Sequence, residues 1–186
     1  MPFPAGASAQ GKGIHPHVQH EESPSLAFGS PGMTREVQAD TKPQARLQSV
    51  MTFKLDSRLE ADTIPVGDLA LSSVLLLNDA RFPWFVLVPR IAGASEFTDL
   101  SEADYAQLAQ EIRIATKVML ELSKPDKVNV GALGNIVTQL HVHVIGRFRS
   151  DPAWPGPVWG HGTRTPYPDH AATALIERAA ALFAAA

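Results

Sequence analysis

The pattern of apolar residues predicts four strands downstream of Met51. Strand-length apolar runs bounded by turn-forming residues occupy positions 69–77, 84–88, 127–133 and 137–145. Asn78 and Asp79 end the first run, and the spacing of the first two runs is typical of an antiparallel hairpin. Gly131 and Gly134 mark a tight connection between the last two runs.

Two helices complete the predicted fold. Ser101 followed by Asp104 is typical of a helix start, and apolar residues then recur at three- and four-residue spacing at Tyr105, Leu108, Ile112, Ala115, Met119 and Leu122. A last helix is predicted from a cap at Asp169 to Phe183. Because strands and helices do not alternate strictly, we expect an α+β fold, with a mainly antiparallel sheet of about five strands, a long helix and a C-terminal helix.

The first 50 residues show neither a helical nor a strand period. They contain six Pro, five Gly and five Ser, and their charges cancel. Such a composition without a repeating apolar face is typical of disorder. We therefore expect a disordered extension over residues 1–50 and a single domain over residues 51–186, with Met51 as a candidate for the true start of the protein.

Composition narrows the classes of function. The 186 residues include no Cys, which excludes disulfide scaffolds, zinc ribbons and cysteine nucleophiles. The net charge is −3 and no basic stripe is present, which argues against a long nucleic-acid partner. No apolar run approaches the roughly 20 residues of a membrane span, and no secretory signal is evident. We expect a cytoplasmic protein. The composition is compatible with a small anionic ligand.

The sequence QLHVHVI at residues 139–145 is the strongest chemical signal. Residues two apart in a strand share a face, so Gln139, His141 and His143 are expected to point one way, and the intervening apolar residues the other. Two imidazoles on one face can reach a single small ligand. A bare H-x-H pair is explained equally well by a solvated strand face, so the flanking residues decide.

These flanks resemble the signature of the histidine triad (HIT) family of nucleotide hydrolases and transferases, which is H-φ-H-φ-H-φ-φ after a Gly-rich segment G-x-x-x-G-Q-x-V. The Gly-rich segment here is NVGALGNIV at residues 129–137, and Gly146 and Arg147 follow the histidines. Asn135 lies four residues before Gln139, as the family's Gln lies before its first His. The first, second and third triad positions are then Gln139, His141 and His143.

The resemblance extends over about residues 52–150, because residues 75–90 are similar to the family's nucleoside-binding hairpin. The sequence departs from the family pattern at three positions. Gln139 replaces the first triad His, Asn135 replaces the Gln of the Gly-rich segment, and Phe85 replaces a His that many members carry. The pattern resembles a bacterial HIT-like branch with Gln at the first triad position.

The resemblance implies a nucleotide hydrolase or nucleotidyltransferase that acts at the α-phosphate of dinucleoside polyphosphates or nucleoside phosphoramidates. His141 would form a covalent nucleotidyl-imidazole, oriented by a main-chain carbonyl near the first triad position. His143 would bind a phosphate oxygen or, as imidazolium, protonate the leaving group. The family also implies a purine nucleotide substrate, a homodimer and no tightly bound cofactor, with Mg²⁺ accompanying a polyphosphate.

Further residues are candidates for substrate binding. Asn135, Gln139 and backbone N–H groups near Gly134 are a natural clamp for phosphate oxygens. Asn78 is a candidate for a ribose hydroxyl, although an ordinary turn-forming Asn explains it equally well. Arg147 is a weaker candidate, because a solvated charge at a strand end is the better explanation.

Two other segments contain histidines. Residues 14–19 (IHPHVQ) resemble the H-P-H-P-Q variant of the superfamily's nucleotidyltransferase branch, but no strand pattern surrounds them and Pro16 lacks a donor for a ladder. The Pro/Gly-rich segment 151–162 contains two Trp residues. It is expected to close over the site, to pack on a partner subunit, or to cross the surface with its Trp side chains as anchors. His161 approaches the site only if this segment folds back.

Two rival functions stay open. One is a non-catalytic nucleotide-binding module that lost turnover through the changes at Gln139 and Phe85. The other is a metal protein in which His141 and His143 ligate zinc or iron, with His161 or His170 as a further ligand.

Overall fold

The structure is a computed structural model that describes residues 52–186. The predicted extension over residues 1–50 and the histidine-containing segment 14–19 lie outside the described residues. In chain order the elements are α1 (Ser57–Asp62), β1 (Thr63–Asp68), β2 (Ser72–Leu77), β3 (Trp84–Pro89), a 3₁₀ turn (Phe97–Asp99), α2 (Glu102–Ser123), β4 (Lys127–Gly131), β5 (Val142–Arg147) and α3 (Asp169–Ala184).

The five strands form one antiparallel sheet in the order β1-β2-β3-β5-β4. The predicted α+β fold is therefore confirmed, as is the antiparallel hairpin, in which Leu75 of β2 pairs with Val86 of β3. In turn, β3 pairs with β5, so that Val86 lies opposite His143. β5 is thus an interior strand, with β3 on one side and β4 on the other.

Both faces of β5 are buried, against different neighbours. Val142 and Val144 belong to the core cluster that contains Leu108 and Met119 of α2. Ile145 belongs to a second cluster on the opposite face, with Trp84 of β3 and residues of the segment after β5. Because side chains alternate along a strand, His143 shares the face of Ile145 and points away from α2.

The helices agree closely with the sequence pattern. α2 begins after Ser101, whose hydroxyl accepts a hydrogen bond from the Asp104 N–H, and ends at Ser123, just before Pro125. α3 begins at Asp169 with Pro168 as its N-cap, so the predicted cap residue is instead the first residue of the helix.

The predicted strand at 137–145 is wrong in its first half, because β5 starts at Val142. Leu140 donates its N–H to the carbonyl of Ala94, which lies in a loop. Leu140 is nevertheless buried, so the apolar alternation continues through a connection that is not a strand. Alternation alone therefore cannot show where β5 begins. The strand predicted at 69–77 begins only at Ser72, and the strand predicted at 127–133 already ends at Gly131.

Sequence analysis missed α1 and β1. β1 contains Pro65 and Gly67, and its register with β2 shifts between these two residues. Pro and Gly weaken a strand pattern and are tolerated at sheet edges and bulges. As the outermost strand of the sheet, β1 accommodates both residues.

A fully buried carboxylate joins α2 to the connection between β1 and β2. Glu111 accepts hydrogen bonds from the backbone N–H groups of Leu71 (2.6 Å) and Ser72 (3.0 Å), and from Nε2 of Gln107 (3.1 Å). The side chain is completely inaccessible to solvent. Because a buried carboxylate requires such donors, this contact fixes the position of α2 against the sheet.

We expect Glu111→Gln to lower the free energy of unfolding by about 2 kcal/mol, because a buried donor left without an acceptor costs about 1–3 kcal/mol. The amide has one acceptor oxygen where the carboxylate has two, so one backbone N–H loses its partner. Urea unfolding at neutral pH measures the change. Glu121→Gln, the same substitution at an exposed site of α2, is the control, and equal stabilities of the two variants would contradict this role.

Candidate functional site

A cavity of about 410 Å³ opens on the sheet face that carries Trp84, Val86 and His143. Its walls come from β2, β3, the connection before β5, α1 and the segment after β5. One part is apolar, with Leu59, Leu77, Val86, Val137, Val158 and Trp159. The polar groups include His141, His143 and Asn135. A cavity of this size with a few convergent polar groups is typical of a small-molecule site.

His141 lies immediately before β5, and a backbone carbonyl fixes the location of its proton. Its Nδ1 is 2.7 Å from the carbonyl oxygen of Gln139, and a carbonyl only accepts hydrogen bonds. Nδ1 therefore carries the proton, and Nε2 carries a free lone pair. The side chain is 5% exposed. A neutral imidazole with a free Nε2 is a competent nucleophile.

His143 is held in the opposite tautomer by Trp84. The indole N–H of Trp84 donates to Nδ1 of His143 (2.9 Å), and because indole nitrogen only donates, the proton of His143 resides on Nε2. Burial, together with the nearby His141, lowers the pKa of His143 from 6.5 to about 3. His143 is therefore neutral near pH 7 and offers an N–H donor at Nε2, which favours binding of a phosphate oxygen over protonation of a leaving group.

The two imidazoles are direct neighbours. Their ring centroids are 4.8 Å apart and their planes are nearly perpendicular, at 85°. The structure thus brings together an imidazole with a free lone pair and an imidazole with an N–H donor, although His141 precedes β5.

The side chain of Gln139 is bound to the segment before α1. Its Oε1 accepts from the N–H of Asp56 (2.9 Å) and its Nε2 donates to the carbonyl of Lys54 (2.8 Å). Gln139 therefore contributes its main-chain carbonyl to His141, while its side chain secures the segment before α1. Gln139 and His141 both precede β5, and the common face expected of Gln139, His141 and His143 stays a prediction.

The remaining residues that were predicted to contact the substrate do not all line the same cavity. Asn135 lines the main cavity. Gly134 and Gln139 line a smaller cavity of about 80 Å³, which also borders His141. Asn78 is not among the cavity residues, and its Oδ1 accepts from the N–H of Tyr167 (2.9 Å). Asn78 thus holds the chain before α3.

Arg147 is a buried structural residue, and its interpretation as a solvated strand-end charge is wrong. It is 1% exposed, and its guanidinium donates to both carboxylate oxygens of Asp151 (2.8 and 3.0 Å) and to Oδ1 of Asn129 (2.8 Å). The side-chain hydrogen bond from Arg147 lowers the pKa of Asp151. Losing one partner of such a buried pair costs about 3–5 kcal/mol, so Arg147 fixes the start of the segment 151–162.

This Pro/Gly-rich segment folds back over the site. The Trp159 ring lies 5.8 Å from the His143 ring and 6.0 Å from that of Trp84, measured between centroids. Val158, Trp159, Gly160 and His161 all line the main cavity. Trp154 is instead 37% exposed. The guanidinium carbon of Arg147 lies over the Trp154 ring, 5.8 Å from the centroid of that ring.

Two ion pairs at the cavity were missed by sequence analysis. Arg81 is bound to the buried Asp79 (2.6 Å), and Arg164 is bound to Asp62 (2.8 Å). Burial alone raises the pKa of Asp79, but the hydrogen bonds that it accepts, led by that from Arg81, outweigh this effect and lower the pKa. For the first pair, the sequence signal is the spacing of Asp79 and Arg81, two residues apart in the predicted turn. Turn formation alone also explains an Asp at this position.

Neither a metal centre nor a membrane helix is found in the described part of the chain. Among residues 52–186, no three His, Asp or Glu side chains are arranged to hold a metal ion. His170 lies on α3, outside the main cavity lining. None of the helices described is both long and apolar enough to span a bilayer.

We expect NMR spectra of the imidazole nitrogens near pH 7 to show the proton of His141 on Nδ1 and that of His143 on Nε2. Because the pKa of His143 is about 3, its ring resonances should not titrate between about pH 7 and about pH 5, where an ordinary His gains a proton. Protonation of His143 in this range would contradict its lowered pKa, and a proton on Nδ1 of the neutral ring would contradict the assigned tautomer.

The variant Trp84→Phe tests whether the Trp84 indole determines the tautomer of His143. It removes the donor to His143 and should allow the Nδ1-protonated tautomer to appear. Trp154→Phe is the matched control, because Trp154 contacts Arg147 rather than the histidines, and it should leave both tautomers unchanged.

Comparisons with known proteins identify close structural relatives. The model of the HIT domain family matches residues 58–150, which include both imidazoles. A histidine triad protein from Sinorhizobium meliloti 1021 is 46% identical, with a TM-score of 0.68 over 69% of this chain and 95% of that chain. No curated protein matches the chain.

Two further solved structures are similar to the same extent. A histidine triad protein from Bradyrhizobium japonicum is 44% identical, with a TM-score of 0.70, and the match covers 71% of this chain and 98% of that chain. One from Marinobacter aquaeolei VT8 is 42% identical, with a TM-score of 0.70 over 72% of this chain and 98% of that chain.

Proposed function

The chain belongs to the histidine triad (HIT) domain family, whose members are generally nucleotide hydrolases or transferases, and from this premise we propose that it cleaves substituents from the α-phosphate of nucleotides. The observation that carries the proposal is the free Nε2 of His141, which borders a cavity beside an N–H donor.

In the proposed reaction, Nε2 of His141 attacks the α-phosphorus and the bond from phosphorus to the leaving group breaks. A covalent nucleotidyl-His141 results, and water then releases the nucleoside monophosphate. The Gln139 carbonyl supports the attack, because it accepts from Nδ1–H and stabilises the positive charge that the ring gains when Nε2 forms its bond to phosphorus.

The surroundings of His141 fit a phosphoryl group. The Nε2–H of His143 and the side-chain amide of Asn135 can donate to the non-bridging oxygens, where negative charge is spread in the transition state. The tautomer of His143 is suited to this task, because the Trp84 N–H occupies Nδ1 and leaves a proton on Nε2.

The apolar part of the cavity supports a nucleoside as the remainder of the substrate. Leu59 of α1, Leu77 of β2 and the Trp159 ring line the same 410 Å³ space as the histidines. The flat ring faces of nucleobases are stabilised by contact with such side chains. We assign purine nucleotides as substrates, with a dinucleoside polyphosphate or a phosphoramidate substituent on the α-phosphate.

Other features of the family carry over as proposals. Mg²⁺ would enter bound to the oxygens of a polyphosphate substrate and neutralise part of its charge. Gln139 would place the chain in the branch with Gln at the first triad position, as a cytoplasmic enzyme. A homodimer is supported by the edge strand β4, where Val130 is 47% exposed, and by Leu133 and Ile136 just beyond it, which are 37% and 77% exposed.

Product analysis tests the proposed reaction. The purified protein incubated with diadenosine polyphosphates or adenosine phosphoramidates should release AMP, detected by chromatography. His141→Ala should abolish release, because no other group described in the cavity combines a free lone pair with this position. His170→Ala, at an exposed position on α3, should retain full activity.

The rival binding-module function predicts a different result. Binding of AMP by the wild-type protein without AMP release from any of these substrates would contradict the enzyme proposal and favour a non-catalytic nucleotide-binding protein. Release of AMP by His141→Ala at the wild-type rate would contradict the assignment of the nucleophile.

A further inference from the structure

His161 is held at the cavity by a backbone that is fixed on both sides. Its N–H donates to the carbonyl of Val158 (3.0 Å), and its carbonyl accepts from Nη1 of Arg81 (2.8 Å). The glycines on either side, Gly160 and Gly162, have φ values of +76° and +58°, which favour glycine over residues with a Cβ. The sequence G-H-G thus forms a turn that places an exposed histidine among the residues that line the cavity.

The anchor of this turn is itself rigidly placed. The Arg81 guanidinium donates to both carboxylate oxygens of Asp79 (2.8 and 2.6 Å), and Asp79 is 1% exposed. Asp79 also accepts from the N–H of Thr165 (3.3 Å). A Cβ at Gly162 would lie 3.2 Å from Nη1 of Arg81, so the close approach of the turn to its anchor favours glycine. His161 is therefore tied to the β2–β3 connection rather than loosely placed.

For the amine leaving group of a phosphoramidate, the proposed reaction needs a proton donor that the two triad imidazoles do not supply. An amine or alkoxide leaves phosphorus slowly unless it is protonated as the bond breaks. His141 uses its lone pair as the nucleophile, and His143 is already neutral, with a pKa of about 3. A neutral imidazole donates hydrogen bonds but is a very weak acid.

The other titratable groups along the cavity are also unsuited to this step. Asp79 is kept ionised by Arg81, and Asp62 is paired with Arg164. The two guanidinium groups remain protonated throughout the physiological range. Of the titratable side chains that line the cavity within residues 52–186, His161 is the remaining imidazole, the side-chain type best suited to proton transfer near neutral pH.

We infer that His161 is the general acid that protonates the leaving group, an inference that rests on the proposed function of the same site. In the first step, His141 Nε2 forms its bond to the α-phosphorus as the bond from phosphorus to the leaving nitrogen or oxygen breaks. The electron pair of the broken bond takes a proton from the His161 imidazolium, which becomes neutral.

The second step returns the proton. Water attacks the α-phosphorus, the bond between phosphorus and His141 breaks, and the electron pair of that bond stays on Nε2. Neutral His161 accepts one proton of the attacking water and is again an imidazolium. No further reactant is required, and the products are the nucleoside monophosphate and the protonated leaving group.

Comparing two leaving groups separates this role from a structural one. The substrates are an adenosine 5′-phosphoramidate with an alkylamine leaving group, which must be protonated to depart, and the 4-nitrophenyl ester of AMP, which departs as a stable anion. kcat/KM is measured because it includes only steps up to release of the leaving group. The variants are His161→Gln and, as a matched control, His170→Gln.

For His161→Gln we expect kcat/KM on the alkylamidate to fall by about 10²–10⁴-fold, the usual contribution of general acid catalysis. The same variant should cleave the nitrophenyl ester at nearly the wild-type kcat/KM. His170→Gln should retain wild-type values on both substrates.

Two results would overturn the inference alone. If the wild-type protein cleaves both substrates and His161→Gln loses activity equally on both, His161 serves structure or binding rather than proton transfer. If His161→Gln keeps full activity on the alkylamidate, another group supplies the proton. Failure of the wild-type protein to cleave either substrate would instead overturn the proposed function and this inference together.

Discussion

Two hydrogen bonds set the chemistry of the cavity, because each fixes the proton of one imidazole. The Gln139 carbonyl holds the proton of His141 on Nδ1, and the Trp84 indole forces the proton of His143 to Nε2. One ring therefore presents a lone pair and its neighbour presents a donor. With both tautomers reversed, the pair would offer neither a nucleophile at Nε2 of His141 nor a donor at Nε2 of His143, although the same residues would be present.

The fold supports these bonds from several directions. β3 and β5 are adjacent interior strands, which brings Trp84 to the face of His143. The segment over the cavity is anchored at its start by the buried pair of Arg147 and Asp151, and near its end by Arg81. Removal of one partner from a buried pair such as Arg147 and Asp151 is strongly destabilising. An exposed pair such as Arg149 and Asp126 (3.9 Å) contributes at most about 1 kcal/mol.

The sequence predicted the sheet, α2 and the pairing of His141 with His143, because these follow from local periodicity and a short motif. It did not predict the role of the Gln139 side chain or the burial of Arg147. Both depend on partners distant in the chain or on a loop conformation: Gln139 binds Lys54 and Asp56, and Arg147 binds Asp151 in a turn without a regular pattern. The tautomer of His143 was inaccessible for the same reason, since its donor lies 59 residues away.

The stereochemical course of the reaction at phosphorus tests the central claim, a covalent nucleotidyl-His141, most directly. A substrate with one α-phosphate oxygen replaced by sulfur in a known configuration would be hydrolysed in isotopically labelled water, and the configuration of the resulting thiophosphate determined. Attack by His141 followed by attack by water inverts phosphorus twice, so we predict net retention. Net inversion would show a single direct attack by water and would contradict the covalent intermediate.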